Sequence, residues 1–131
     1  MKKILDALIE YRLLQAKESL QDAKILLKAK GSFRSVINRA YYAMFYSLLA
    51  LYARKGMGTS KHAGVIAIFD REYVKAGTFP KEMSRNLHRA FYLRQDSDYK
   101  EFSLLTREET REILAGAEIF FDSISKYLDV K

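Results

Sequence analysis

A chain of 131 residues is long enough for one domain around one core. Apolar residues at 49% exclude disorder and a membrane class, and the lack of cysteine excludes disulfides, thiolate metal sites and a cysteine nucleophile. The net charge of +7 suits an anionic partner, such as nucleic acid, a nucleotide or an acidic protein, and equally a merely solubilising surface.

The first residues, Met1-Lys2-Lys3-Ile4-Leu5-Asp6, carry no apolar run of signal-peptide length. The longest apolar stretch, Ala40 to Ala53, is too short for a bilayer and contains Tyr41, Tyr42, Tyr46 and Ser47. A cytoplasmic protein without membrane contact is expected. One proline and six glycines are too few for the turns of a sheet-rich domain.

Taken in chain order, the first helix has Ile9, Leu13, Ala16, Leu20, Ala23 and Leu27 spaced 4-3-4-3-4, the seam of a bundle, with Gly31 as its stop. The second helix runs from about Ser32 to Lys55 and is closed by Gly56 and Gly58. It has a small stripe (Val36, Ala40, Ala43, Ser47, Ala50) beside a bulky one (Ile37, Tyr41, Met44, Leu48, Leu51). So much apolar circumference predicts a central position, or a central position that also meets another subunit. A third segment starts near Ser60, with His62, Ile66, Phe69 and Tyr73 on one face. Gly77-Thr78-Phe79-Pro80 interrupts it, and a further helix carries Met83, Leu87, Ala90, Phe91 and Arg94. Residues 95 to 105 lack a period and read as a loop.

Thr106-Arg107-Glu108-Glu109 then opens the last helix with a capping box, followed by Thr110, Ile113, Ala117, Phe120, Ile124 and Tyr127. The expected fold is all-α: an up-and-down four-helix bundle with one additional short helix.

Metal and nucleophile motifs are lacking. The sequence has no Glu-x-x-His pair and only two histidines, so neither a di-iron nor a zinc site is expected, and no cofactor. Gly56-Met57-Gly58-Thr59-Ser60-Lys61 matches neither a P-loop nor a dinucleotide fingerprint. It reads as an interhelical turn, with Lys61 able to meet an anion at a helix start.

Arg94 is the most informative residue. On a helical wheel it falls at the centre of the stripe of Met83, Leu87, Ala90 and Phe91. It either snorkels to water, pairs with Asp96 or Asp98, or lines a cleft and meets phosphate. Lys81, Arg85 and Arg89 form an i, i+4 basic stripe beside His88 and Tyr92, either solvated or in contact with phosphates. Asn38, Arg39, Tyr42 and Tyr46 share a face that serves as a ligand wall, a subunit contact or an internal hydrogen-bond network. His62 lies on an apolar face, as a hydrogen-bonded core histidine or a catalytic one.

Asn38-Arg39-Ala40-Tyr41-Tyr42-Ala43-Met44-Phe45-Tyr46, then Lys61-His62-Ala63-Gly64-Val65-Ile66, then Arg94-x-x-x-Asp98-Tyr99 make the chain resemble a HEPN subfamily related to toxins of prokaryotic toxin–antitoxin pairs. The resemblance spans residues 5 to 128 or so and implies one HEPN-like helical domain over residues 1–131. It further implies a homodimer, a minimal nucleotidyltransferase as partner, and metal-independent ribonuclease chemistry at a site shared across the dimer. Catalytic members carry an arginine followed, four to six residues later, by a histidine. Here positions 99 to 101 hold Tyr99, Lys100 and Glu101, so Arg94 carries over and the histidine does not.

In some related pairs the partner transfers AMP to a tyrosine near this motif, and Tyr99 matches it by position. Arg94, Asp98 and Tyr99 are thus the candidate catalytic cluster, with Asn38, Arg39, Tyr42, Tyr46 and His62 as ligand or interface residues and Lys81, Arg85 and Arg89 as candidate phosphate contacts. Two functions follow. One is a toxin acting on RNA, its base supplied from elsewhere, such as His62. The other is a non-catalytic module binding a nucleotide, RNA or the partner protein.

Overall fold

The 4-3 seam of the first segment becomes helix α1 (Lys2–Lys28), about 40 Å long at 1.5 Å per residue. Ile9, Ala16, Leu20 and Ala23 are buried along it, with Leu13 and Leu27 packed against the core. A short connection returns the chain antiparallel into α2 (Phe33–Ala53), whose first turn is capped by Ser32 Oγ accepting from the Ser35 N–H at 3.1 Å. Then come α3 (His62–Phe69), a π-helical turn (Asp70–Val74), α4 (Lys81–Gln95) and α5 (Arg107–Leu128). This computed structural model describes residues 2–58, 61–95 and 105–129. Among them there is no strand. The long helices α1, α2, α4 and α5 make the bundle, and α3 is the additional short helix.

Helix α2 is the axis of the molecule and packs on α1, α3, α4 and α5. Every residue of its small stripe and its bulky stripe is buried. Its apolar circumference is therefore consumed within the chain, and no subunit contact is needed to cover it. Ser47, buried among these residues, donates its hydroxyl to the Ala43 carbonyl at 2.7 Å.

One of two helix ends departs from what the glycines suggested. Both α1 and α2 close with the paired C-terminal bonds of a Schellman motif: Gly31 N–H to Leu26 O and Lys30 N–H to Leu27 O, then Met57 N–H to Tyr52 O and Gly56 N–H to Ala53 O. In α2 the left-handed position is Gly56, at φ 69. In α1 it is Lys30, at φ 61, so the stop falls one residue before Gly31 and on a side chain that resists it.

The capping box of α5 forms as the sequence predicts. Thr106 Oγ1 accepts from the Glu109 N–H at 3.0 Å, and Glu109 Oε1 accepts from the Thr106 N–H at 3.2 Å. Thr106→Ala should therefore cost about 1 kcal/mol, read as a lower urea midpoint at unchanged slope. An unchanged midpoint would show that the box contributes nothing. The apolar stripe of α5 drifts at its end: Thr110, Ile113, Ala117, Phe120 and Ile124 are buried, but Tyr127 is 47% exposed and Leu128 takes the inner position. A 3.6-residue helix drifts relative to a fixed 3-4 repeat, and Ile124 is followed inward at i+4.

The π-helical turn is tied to α4 through Asp70. Ser84 Oγ donates to Asp70 Oδ1 at 2.6 Å, and His88 Nε2 lies 2.6 Å from Asp70 Oδ2. Aromatic rings fall into two groups. One joins Phe69, Tyr73, Phe79 and Phe120 in the core. The other joins Tyr41, Tyr42, Phe45, His62 and Phe91, and it is this group that meets Arg94.

Candidate functional site

Met83, Leu87 and Ala90 are buried along α4 and Phe91 packs against the core, so Arg94, in the last turn, is carried inward with them. Its guanidinium carbon lies 5.1 Å from the ring centre of Tyr41 and 5.5 Å from that of Tyr42. These are cation–π distances. The Nε is buried and makes no hydrogen bond to the described residues. Asp96, Asp98 and Tyr99 lie outside the described residues.

A cavity of about 390 Å³ opens beside Arg94, lined by Leu26 of α1, by Arg34, Ser35, Asn38 and Arg39 of α2, and by Arg94 itself. Three arginines thus line one small space, and none of the described lining residues is acidic. Arg39 donates from Nε and Nη2 to Asn38 Oδ1 at 3.2 and 2.9 Å, and its guanidinium lies 5.1 Å from the Tyr42 ring. Tyr42 is therefore flanked by two arginines. Tyr46 belongs elsewhere: with Glu18, Asp22 and Arg39 it lines a separate hollow of about 180 Å³. The face read from the sequence divides accordingly: Asn38 and Tyr42 go with Arg94, Tyr46 with the acidic residues of α1, and Arg39 borders both.

His62 opens α3, its ring stacked 4.3 Å from Phe45 and its Nδ1 2.6 Å from the Tyr41 hydroxyl. Burial pushes the Tyr41 hydroxyl up, only partly opposed by Arg94, so Tyr41 stays a phenol with a proton to give. Donation to Nδ1 leaves the proton of neutral His62 on Nε2. The one lone pair of the neutral ring is then engaged, which suits orientation better than proton abstraction.

Burial lowers the pKa of His62, and Arg94 lowers it further. A histidine with a depressed folded pKa binds its proton less well folded than unfolded. Its contribution to stability is whole above the unfolded value of 6.5 and declines as pH falls through the window down to the folded pKa. Between about pH 7.5 and about pH 5 the parent should lose more stability than His62→Gln. Parallel urea midpoints across that range would remove His62 from the acid limb.

The basic stripe of α4 lies on the face opposite Arg94. Arg89 meets Glu112 at 3.4 Å and Glu109 at 3.7 Å on α5, while Lys81 and Arg85 are exposed. Exposed pairs of this kind contribute about 0–1 kcal/mol. These three cations therefore do not join the Arg94 cavity. Sequence reasoning passed over Arg34 and the inner role of Tyr41. Arg34 stands one helical turn before Asn38, a signal that was legible; the meeting of Tyr41 with Arg94 across two helices was not.

Among the described residues, no three His, Asp or Glu side chains converge as a metal site requires, and no helix is long and apolar enough to cross a membrane.

The chain is similar to a UPF0332 protein of Thermotoga maritima, 41% identical over 124 residues that cover 95% of this chain and 93% of that one. It is also similar to a protein of Methanocaldococcus jannaschii named "Putative toxin MJ0605", 38% identical over 128 residues, covering 98% of this chain and 91% of that protein. A UPF0332 protein of Archaeoglobus fulgidus is 32% identical over 112 residues, covering 86% and 88%. The HEPN domain model matches residues 9–127, so the cavity beside Arg94 lies wholly within it and the chain belongs to the HEPN family.

Proposed function

We propose that this chain is the HEPN component of a toxin–antitoxin pair whose other member is a minimal nucleotidyltransferase, and that it meets RNA or nucleotide phosphate at the cavity beside Arg94. The observation that carries this reading is the convergence of Arg34, Arg39 and Arg94 on one cavity with no acidic residue among its described lining. Relatives named as toxins support the pairing. A net charge of +7 suits an acidic partner and speeds encounter with it. Co-expression with a neighbouring nucleotidyltransferase gene and affinity capture test the pairing. Failure to co-purify would remove it.

A homodimer is part of the same reading. Ile4, Leu8, Tyr11 and Leu14 are exposed apolar residues along α1 and support a contact on that helix. A strictly monomeric mass by light scattering would exclude it.

A second reading, a HEPN module that binds without cutting, draws support from two observations. No histidine stands at 99 to 101, and the Nδ1 of His62 is engaged by Tyr41. RNA cleavage that depends on Arg94 would decide for the toxin, and Arg94-dependent binding without cleavage for the module.

A further inference from the structure

The tyrosine that meets Arg94 is itself bonded to a titratable group. Among the described residues, the Arg94 guanidinium rests against the rings of Tyr41 and Tyr42, and its Nε meets no acceptor. The attraction comes from the electron density on a ring face. For Tyr41 that density depends on its hydroxyl, which lies 2.6 Å from His62 Nδ1. A phenol that donates a hydrogen bond gains density on its oxygen and ring, because hydrogen bonds polarise the groups that make them. Neutral His62 accepts from Tyr41 and thereby favours a guanidinium on the Tyr41 ring. Stacking on Phe45 at 4.3 Å keeps the imidazole within reach of the hydroxyl.

Protonation reverses this arrangement. Both imidazole nitrogens become donors, so the Tyr41 oxygen must accept from Nδ1–H and its own proton must turn elsewhere. The Tyr41 ring then loses density to an imidazolium, and a second cation stands in the cluster that receives the guanidinium. The described groups facing His62 are Tyr41, Tyr42 and Phe45 from α2 and Phe91 and Arg94 from α4, with exposed Lys61 next to it in the chain. None of them is acidic, so none offsets the new charge. Burial and Arg94 both lower the pKa of His62, so the reversal falls below pH 6.5 and the neutral ring is the form present at neutral pH. Resting on the reading of Arg94 as the working residue of its cavity, we propose that His62 is a positioning residue for Arg94, acting through the Tyr41 hydroxyl. Neutral His62 sets the guanidinium on the tyrosine rings, and protonated His62 releases it.

NMR on the full chain with isotope-labelled arginine, in the absence of any ligand, tests this. The Arg94 Nε–H signal is identified by its loss in Arg94→Lys. At about pH 7.5 it should stand upfield of free arginine, shielded by the two tyrosine rings. Through the titration of His62, followed on the imidazole's own protons, it should move toward the free-arginine position with the same midpoint. His62→Gln should keep the neutral-pH position throughout, because a glutamine carbonyl accepts from Tyr41 and does not titrate. Coupling is reciprocal, so Arg94→Gln should raise the His62 midpoint. His88, bonded to Asp70 of the π-helical turn, supplies the other histidine titration, and the Arg94 signal should not follow it. If His62→Gln fails to fold, the coincidence of midpoints in the parent and the shift in Arg94→Gln still decide. An Arg94 signal that stays in place through the His62 titration, or that moves equally in His62→Gln, overturns the proposal and leaves Arg94-dependent binding standing. Failure of phosphate to bind at Arg94 would remove the earlier reading without altering these midpoints.

Discussion

Arg94→Ala is expected to weaken binding of a phosphate-bearing nucleotide or RNA by about tenfold to hundredfold while lowering the melting temperature by only a few degrees. The two effects separate because they come from different contacts. Among the described residues, the rings of Tyr41 and Tyr42 lie beside the guanidinium, at 5.1 and 5.5 Å. A half-exposed cation–π contact contributes about 0.5–1 kcal/mol, up to about 2 where water is excluded. A charge-assisted bond to phosphate contributes about 1.5–3 kcal/mol, and the planar fork can make two. Arg94→Lys should rescue poorly, since an ammonium supplies charge but neither the fork nor the flat face that tyrosine rings hold. Thermal melting and ligand titration on the same two variants check this. Unchanged affinity in Arg94→Ala would remove the residue from the site, and a large fall in melting temperature would make it a structural cation instead.

Tyr41→Ala should be the more damaging change to the fold, at about 3–5 kcal/mol, a large share of the roughly 5–15 kcal/mol that holds a domain together. Tyr41 is fully buried, and its ring meets Tyr42, Phe45, His62 and Phe91 at centroid separations of 5.4 to 6.0 Å. Removing it opens a cavity between α2, α3 and α4 where collapse is limited by their own packing. Tyr41→Phe tests the hydroxyl alone. The ring stays, the bond to His62 Nδ1 goes, and the cost should be about 1 kcal/mol because half-buried His62 can turn to water. Chemical denaturation of both variants gives the comparison. A loss below about 1 kcal/mol in Tyr41→Ala would mean that the cluster repacks freely, and the account of a fixed platform under Arg94 would fall with it.

Much of this protein is written locally. The 4-3 spacing of Ile9, Ala16, Leu20 and Ala23, the double stripe of α2 and the Thr106–Glu109 capping box each depend on hydrogen bonds spanning four residues or fewer, so a one-dimensional pattern suffices to read them. The inward direction of Arg94 is legible for the same reason: a wheel fixes the angle of a side chain about its own helix.

Tertiary structure decided what that angle leads to. Which side chains meet Arg94 depends on how far α4 slides along α2, and shape complementarity across the bundle sets that register rather than the composition of either helix. Arg34, Tyr41 and Tyr42 became its neighbours through that packing, while Arg89, on the same helix, was turned toward Glu109 and Glu112 of α5. The stop at Lys30 instead of Gly31 places a side chain in the left-handed region, the π-helical turn at Asp70 is tied to α4 by side chains far along the chain, and the exchange of Tyr127 for Leu128 follows the drift of the helix past the core.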